Sequence, residues 1–317
     1  MTETFSYLQK FNDFEIFSNS MQAYDVDLRK LDSGSFQAKL HQFLSGASLL
    51  SSFTATRSFE VQGSAPLNLV TFGIPTEQCK PFVWRNLFSD GNTIQVYNGN
   101  TELEMVTKQL FQAIDLSVPH DFLNRQCELM ELPGLDDIIG DAAMLRCHPQ
   151  DMKILRNALA NVCQTLGDTP ALINSSNMQY IINYEIPRLL LKTISVSETK
   201  KNIHNKSKKY HALNIAVEYI KANQSKNITL DSLCMESQVS ARTLQHAFLE
   251  HFGQSPKTYL KVQRLNSVYK ELRESEPVTT KITHVAYRHG FNHLSQFASD
   301  YKKLFGELPS VTLSKEK

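Results

Sequence analysis

After residue 228 the chain repeats itself. Leu230, Leu233, Cys234 and Val239 return 52 residues later as Ile282, Val285, Ala286 and Phe291. Leu244, Phe248, Phe252, Gly253 and Pro256 return 53 residues later as Phe297, Tyr301, Phe305, Gly306 and Pro309. The offset grows by one, so a single residue has been added in the turn between the two blocks. An apolar pattern duplicated in register demands two copies of one supersecondary unit.

Each copy predicts a helix–turn–helix. In the first, Thr229 or Asp231 starts a short helix with Leu230, Leu233 and Cys234 inward. Ser240 then N-caps a second helix that buries Leu244, Phe248 and Phe252 and stops at Gly253. In the second copy a helix over Lys281–Arg288 ends before Gly290-Phe291, and a helix over His293–Phe305 ends at Gly306. Between the copies, Ser255-Pro256 opens a longer helix. Tyr259, Leu260, Val262 or Gln263, Leu265, Val268 and Leu272 keep helical spacing to about Glu274. Roughly 19 residues at 1.5 Å each make a strut of about 28 Å. Successive major-groove faces of B-DNA lie about 34 Å apart. Such a strut lets both second helices enter adjacent major grooves, a geometry that no enzyme chemistry requires.

The faces that remain outward carry the right chemistry. With Leu244 and Phe248 inward, Arg242, Gln245, His246 and Leu249 point out near the start of the first reader helix. Arg pairs with guanine edges and Gln with adenine edges by two hydrogen bonds each. On the second reader helix Leu294, Ser295, Gln296 and Ser299 hold the equivalent face. The expected base contacts are therefore Arg242, Gln245, His246, Leu294, Ser295, Gln296 and Ser299. The expected phosphate contacts are Thr229, Ser240, Lys281, His293, Lys302 and Lys303. The bland alternative is a solvated polar face.

Charge follows the same division. Residues 201–317 hold 18 Lys and Arg against 10 Asp and Glu, a surplus of eight positive charges. Residues 1–200 hold 15 against 22, a surplus of seven negative ones, so the formal +1 of the whole chain hides a basic third. Ser197 to Lys209 carries five lysines against one large apolar residue, Ile203, and reads as a linker. The expected division is a regulatory domain over 1–196, a linker over 197–209 and a DNA-binding domain over 210–317.

The first domain reads as α+β. Phe36, Ala38 and Leu40 alternate with polar residues, and Leu67–Phe72 and Thr93–Tyr97 are short β-branched or aromatic runs. Turn signals at Asp32-Ser-Gly34, Gly73-Ile-Pro75, Asp90-Gly-Asn92 and Asn98-Gly-Asn100 separate them. Several short strands at this spacing suggest a small antiparallel barrel or sandwich, cupin-like, with helices added. Met152, Leu155, Leu159 and Val162 mark an amphipathic helix after His148-Pro149, and Met178 to Ser195 marks another that Pro187 must kink or interrupt. This apolar pair either packs on the strands or forms a dimer interface. Trp84 and the apolar strand residues belong to a core or line a pocket.

At the repeat the chain resembles the AraC/XylS family of bacterial transcription regulators over about 100 residues, Tyr210 to Leu313. The most specific stretch runs from Gly290-Phe291 through Ser295-Gln-Phe297 and Tyr301-Lys302 to Phe305-Gly306 and Pro309. Ser299 departs from the family pattern, where many members carry arginine. Within the family the likeness is to the ethanolamine-utilisation operon regulators. It lies in Ser240-Ala-Arg-Thr-Leu-Gln245, Leu260-Lys-Val-Gln-Arg-Leu-Asn266 and His293–Tyr301, with Ser33-Gly-Ser-Phe36 and Phe72-Gly-Ile-Pro75 in the first domain. Those regulators respond to ethanolamine and a cobalamin cofactor, and no ligand residue transfers. The resemblance implies a cytoplasmic activator that binds double-stranded DNA, works with RNA polymerase and dimerises, under an unidentified small-molecule effector with no assigned cofactor.

Enzyme chemistry finds little support. The first domain has only His41, His120 and His148, without H-x-H, H-E-x-x-H, G-x-S-x-G or a phosphate loop, so neither catalytic nor metal residues are expected. The five cysteines form no C-x-x-C pair and read as reduced thiols. No apolar run approaches the ~20 residues of a spanning helix, and the first residues lack the basic and apolar regions of a secretory signal. The rival reading is an architectural DNA-binding protein without an effector, which would not need an acidic first domain.

Overall fold

The computed structural model describes residues 4–20, 25–64, 69–98, 102–199, 208–223 and 228–314. Leu67, Asn68, Gly99, Asn100 and most of the expected linker, 200–207, lie outside the described residues. Two compact units result. The first comprises Met1–Leu28 and Phe36–His204, and the second comprises Arg29–Ser35 and Asn205–Lys317.

The strands in chain order are β1 (Thr4–Phe11), β2 (Asp25–Lys30), β3 (Ala38–Ser45), β4 (Ser48–Ala55), β5 (Phe59–Ser64) and β6 (Leu69–Pro75). They continue as β7 (Phe82–Trp84), β8 (Leu87–Ser89), β9 (Thr93–Asn98), β10 (Glu102–Val106), β11 (Phe111–Pro119), β12 (Met144–Arg146) and β13 (Glu198–Thr199). The helices of the same unit are α1 (Phe14–Ser20), α2 (His120–Leu129), α3 (Leu135–Ile139), α4 (Pro149–Asp168), α5 (Ser176–Tyr180) and α6 (Ile186–Ser195).

One sheet runs β1-β3-β4-β11-β6-β9-β12-β13 and the other β2-β5-β10-β7-β8, with every described pairing antiparallel. The central strand β11 shows why the larger sheet is covered on both sides. Phe111 and Ala113 join a core with Phe59, Phe82 and Trp84 of the smaller sheet. Ile114, Leu116 and Val118 point the other way, into a core with Leu155 and Leu159 of α4 and Leu190 of α6. A strand buried on both faces loses its polar alternation. The expected small barrel is not closed. Among the described residues the two sheets stay open, with β1 and β13 at the edges of one and β2 and β8 at the edges of the other. Strands β13 and β8 have only two and three residues with which to carry pairing onward.

The inward stripes of the two amphipathic helices pack on the strands. Met152, Leu155 and Leu159 are fully buried, so that stripe cannot also serve a dimer. Around Pro187 the backbone widens rather than breaks. A π-helical turn over Ile181–Glu185 leads into α6, whose N1/N2 position the proline takes. The wider turn accommodates a ring that would strike the carbonyl four residues back.

The second unit is helical. It holds α7 (Lys208–Ala222), α8 (Leu230–Ser237), α9 (Ala241–Phe252), α10 (Pro256–Glu274), α11 (Ile282–Arg288), α12 (Leu294–Phe305) and α13 (Pro309–Ser314). Helix α7 therefore begins at Lys208, inside the stretch expected to be linker, and Glu198 and Thr199 pair with β12. The short segment Arg29–Ser35 also belongs to this unit, against the expected boundary at 196. Its polar groups explain why. Asn266 accepts from the Lys30 backbone N–H at 3.2 Å and donates to the Lys30 carbonyl at 3.0 Å. The buried Lys30 ammonium donates to the carbonyls of Gly34 and Leu304, both at 2.6 Å.

Candidate nucleic-acid interface

Local chemistry sets each helix of the duplicated motif. Thr229 and Ser232 form a reciprocal capping box at α8. Ser240 caps α9 through the Thr243 N–H at 3.3 Å, and Ser255 caps α10 through the Thr258 N–H at 3.2 Å, with Pro256 in its first turn. The turn between α8 and α9 needs a left-handed residue, supplied by Gln238 (φ 54°), and 52 positions later the same turn uses Gly290 (φ 81°). Glycines at φ 71° and 85°, Gly253 and Gly306, stop α9 and α12.

Packing orients the two reader helices. On α9, Leu244, Ala247, Phe248 and Phe252 are buried, and Phe252 lies 4.2 Å from the Tyr259 ring on α10. Glu250 ties α9 to α7, accepting from Lys209 Nζ at 2.5 Å and Tyr210 Oη at 2.6 Å. Those donors, led by Lys209, hold the Glu250 carboxyl below its ordinary range, while burial and then the hydrogen bond to Glu250 push the Tyr210 phenol up. On α12, Phe297, Tyr301 and Leu304 are buried. Asp300 takes the Lys261 ammonium of α10 at 3.0 Å, and Tyr301 donates to Thr312 of α13 at 2.8 Å. Glu271 of α10 holds Arg288 at 2.6 Å and His289 at 2.7 Å, anchoring the end of α11. Both copies are thus braced on α10, which is 19 residues long and spans about 28 Å.

The outward faces can be compared residue by residue. Arg242, Gln245, His246 and Leu249 are all exposed on α9, and among the described residues the side chains of Arg242 and Gln245 make no hydrogen bond or ion pair. His246 lies 3.5 Å from Glu250 on its own helix, so a protonated His246 already has a partner. Ser295, Gln296, Ser299, Lys302 and Lys303 are exposed on α12, and Leu294 is half-buried. Thr229 and Ser240 keep exposed hydroxyls at the starts of α8 and α9. Lys281 and His293 occupy the N-cap positions of α11 and α12 without capping through their side chains. Polar groups and helix N-termini gathered this way suit phosphate oxygens. The long planar side chains of α9 suit base edges.

The first unit adds a polar group to the pocket that Trp84 and the apolar strands suggested. A cavity of about 100 Å³ lies between its two sheets, and Asp115 of β11 lines it. The available signal was one carboxylate inside the otherwise apolar run Ala113-Ile-Asp-Leu116. Trp84 belongs to both expected settings, since it is buried, donates Nε1–H to the Ala143 carbonyl at 2.9 Å and lines the cavity. The five cysteines are free, and burial pushes the Cys147 and Cys163 thiols up to about 12. Among the described residues no group of three His, Cys, Asp or Glu could hold a metal.

Two helix–turn–helix motifs on one strut define a protein of the nucleic-acid-binding helix-turn-helix class. The family described as "Helix-turn-helix domain" matches residues 233–315. The XylDLEGF operon transcriptional activator of Pseudomonas putida is 38% identical over 97 residues, 31% of this chain and 30% of that protein. XylDLEGF operon transcriptional activator 2 of the same organism is 34% identical over 128 residues, 40% of this chain and 80% of that protein. The crystal structure of the AraC-like transcriptional activator CuxR aligns with a TM-score of 0.46 at 15% identity, over 84% of this chain and 96% of that one. The chain belongs to the AraC/XylS family of transcription regulators. It spans about 30% of the length of the first of these relatives.

Proposed function

We propose that the chain is a non-catalytic, sequence-specific DNA-binding transcription regulator, an activator controlled through its first unit. The observation that carries this reading is the pair of exposed reader faces, Arg242 and Gln245 on α9 and Ser295 and Ser299 on α12, braced on one helix of about 28 Å. The relatives are described as transcriptional activators, which supports activation; RNA polymerase is the partner this reading expects. DNA binding and free cysteines fit a cytoplasmic protein, and no described helix is long and apolar enough to cross a membrane. The cavity supports a small-molecule effector over a purely architectural role. Within this reading the two stacked sheets are an opened relative of the cupin-like barrel. Any homodimer uses surface other than the buried α4 stripe, such as the exposed Ile154, Tyr180 and Tyr184. The likeness to ethanolamine-utilisation operon regulators, carried by short segments of both units, makes 2-hydroxyethylammonium one candidate effector to be compared with others.

The test is fluorescence anisotropy of the full chain on duplexes selected from a random pool. Tight binding to selected duplexes, weakening steeply with salt as counterions are released, supports the reading. Equal affinity for selected and random duplexes, or no salt dependence, refutes it.

A further inference from the structure

The cavity between the sheets has an aromatic wall and one polar end. Phe59 and Phe82 form part of the wall, with Trp84 and Phe111 beside them. The polar end is built by three adjacent strands of the larger sheet. Asp115 on β11 presents its carboxylate to the cavity, and the Tyr97 hydroxyl of β9 donates to it. Gln95 on β9 is buried and donates its Nε2 to Ser89 Oγ at 2.9 Å, which leaves its carbonyl Oε1 as the inward atom. Gly73 of β6 keeps the space between them open. A Cβ at Gly73 would sit 3.1 Å from Gln95 Oε1 and 3.3 Å from Asp115 Oδ1. Two acceptor oxygens therefore lie on either side of Gly73, and the lack of a side chain there leaves both uncovered.

The chemistry of this end selects its ligand. Among the described residues Asp115 is the one carboxylate on the wall, and no Lys, Arg or His lines it. An anion would be repelled. A polyol has more hydroxyls than the few polar groups of the wall can meet, and the rest would face phenyl rings. The two other polar wall residues, Gln42 and Ser51, bond to each other at 3.3 Å. A group that donates several hydrogens and carries positive charge satisfies both acceptors, and the neighbouring π faces also attract it. A volume of about 100 Å³ is below the 150 Å³ cavity that holds the six carbons of benzene, so roughly four or five heavy atoms fit.

We propose that this cavity binds a small alkylammonium ion, with its nitrogen between Asp115 and Gln95 and its hydrocarbon body against the aromatic wall. Its consequence for transcription rests on the regulatory reading above; the binding itself does not. The mostly apolar wall sets this ligand apart from 2-hydroxyethylammonium, which puts a hydroxyl where the alkylammonium puts hydrocarbon.

Trp84 sits on the wall and is the single tryptophan of the chain, so its emission reports occupancy. The full chain is titrated with n-butylammonium, 1-butanol, butyrate and 2-hydroxyethylammonium at pH 7.5. The expected result is saturable binding of n-butylammonium at least tenfold tighter than 1-butanol or 2-hydroxyethylammonium, and no response to butyrate. Asp115→Asn should weaken n-butylammonium at least tenfold while leaving 1-butanol unchanged, and Gly73→Ala should block both by filling the polar end. Equal affinity for n-butylammonium and 1-butanol, or an Asp115→Asn variant that binds n-butylammonium as the parent does, overturns the proposal. Tighter binding of 2-hydroxyethylammonium overturns the hydrocarbon-body assignment. Anisotropy on a selected duplex in the same samples separates the two readings. Ammonium binding that leaves DNA affinity unchanged removes the regulatory link alone, and DNA binding without ammonium binding removes the cavity assignment alone.

Discussion

Replacing Asp115 with Asn should make the first unit more stable near neutral pH and much less so in acid. Burial raises the Asp115 carboxyl from 3.8 to about 6, against a smaller opposing effect of the Tyr97 hydrogen bond. Between those values the folded protein holds a proton that the unfolded chain has released. Stability therefore falls as pH rises from about 4 to about 6, and the full penalty persists above that window. A shift of about two units at 1.36 kcal/mol each sets the penalty near 3 kcal/mol at pH 7.5. At pH 4.5 the same linkage leaves about 1 kcal/mol. Asn keeps the shape without the charge, so the variant should gain up to about 3 kcal/mol at pH 7.5 and about 2 kcal/mol less at pH 4.5.

Urea unfolding followed by Trp84 emission measures this directly. Trp84 is buried in the first unit and reports that unit alone, which avoids treating a two-unit chain as one transition. A gain of the same size at both pH values would refute the reasoning, because a packing effect has no reason to titrate. A variant less stable than the parent at pH 7.5 would refute it too.

The remaining predictions concern the second unit. Arg242→Ala should remove about 1–3 kcal/mol of base discrimination over one half of the site, while Ser299→Ala changes little; selection from random duplexes reads both. Lys302→Ala should weaken all duplexes nearly equally and reduce the salt slope by about one unit, seen by titrating binding against salt. Phe248 is fully buried, 5.4 Å from the Tyr259 ring, and Phe248→Ala should cost about 3–5 kcal/mol in thermal unfolding of the second unit. Ser240→Ala should cost about 1 kcal/mol in the same assay by removing the α9 cap.

The helical unit was readable almost residue by residue. Ser240, Ser255-Pro256, Gly253 and Gly306 are punctuation that acts within one turn, and the apolar spacing of Leu244, Phe248 and Phe252 states which face is buried. The exposed face of α9 follows by subtraction. The bracing of that face was not readable. Glu250 finds Lys209 and Tyr210 about 40 positions away, and Asp300 finds Lys261 39 positions away. In the first unit the strands β6 and β9 and the helix α4 were visible as patterns, but their neighbours were not. That β11 lies between β4 and β6 is a matter of non-local pairing, and nothing in the local pattern ranks one partner above another.

By itself the sequence determined the duplicated motif, the strut between its copies and the residues on the outward faces of α9 and α12. Helical structure is decided within four residues, so caps, glycines and apolar spacing carry the information in place. The tertiary structure alone decided the cavity. Asp115, Gln95 and Gly73 come from three strands whose register is set by backbone pairing across the sheet, and only that register brings two acceptor oxygens to either side of Gly73. It also assigned Arg29–Ser35 to the helical unit, because the Lys30 ammonium and backbone find their partners on residues more than 230 positions away. A buried polar group must be satisfied wherever a partner exists, and sequence distance does not enter that requirement.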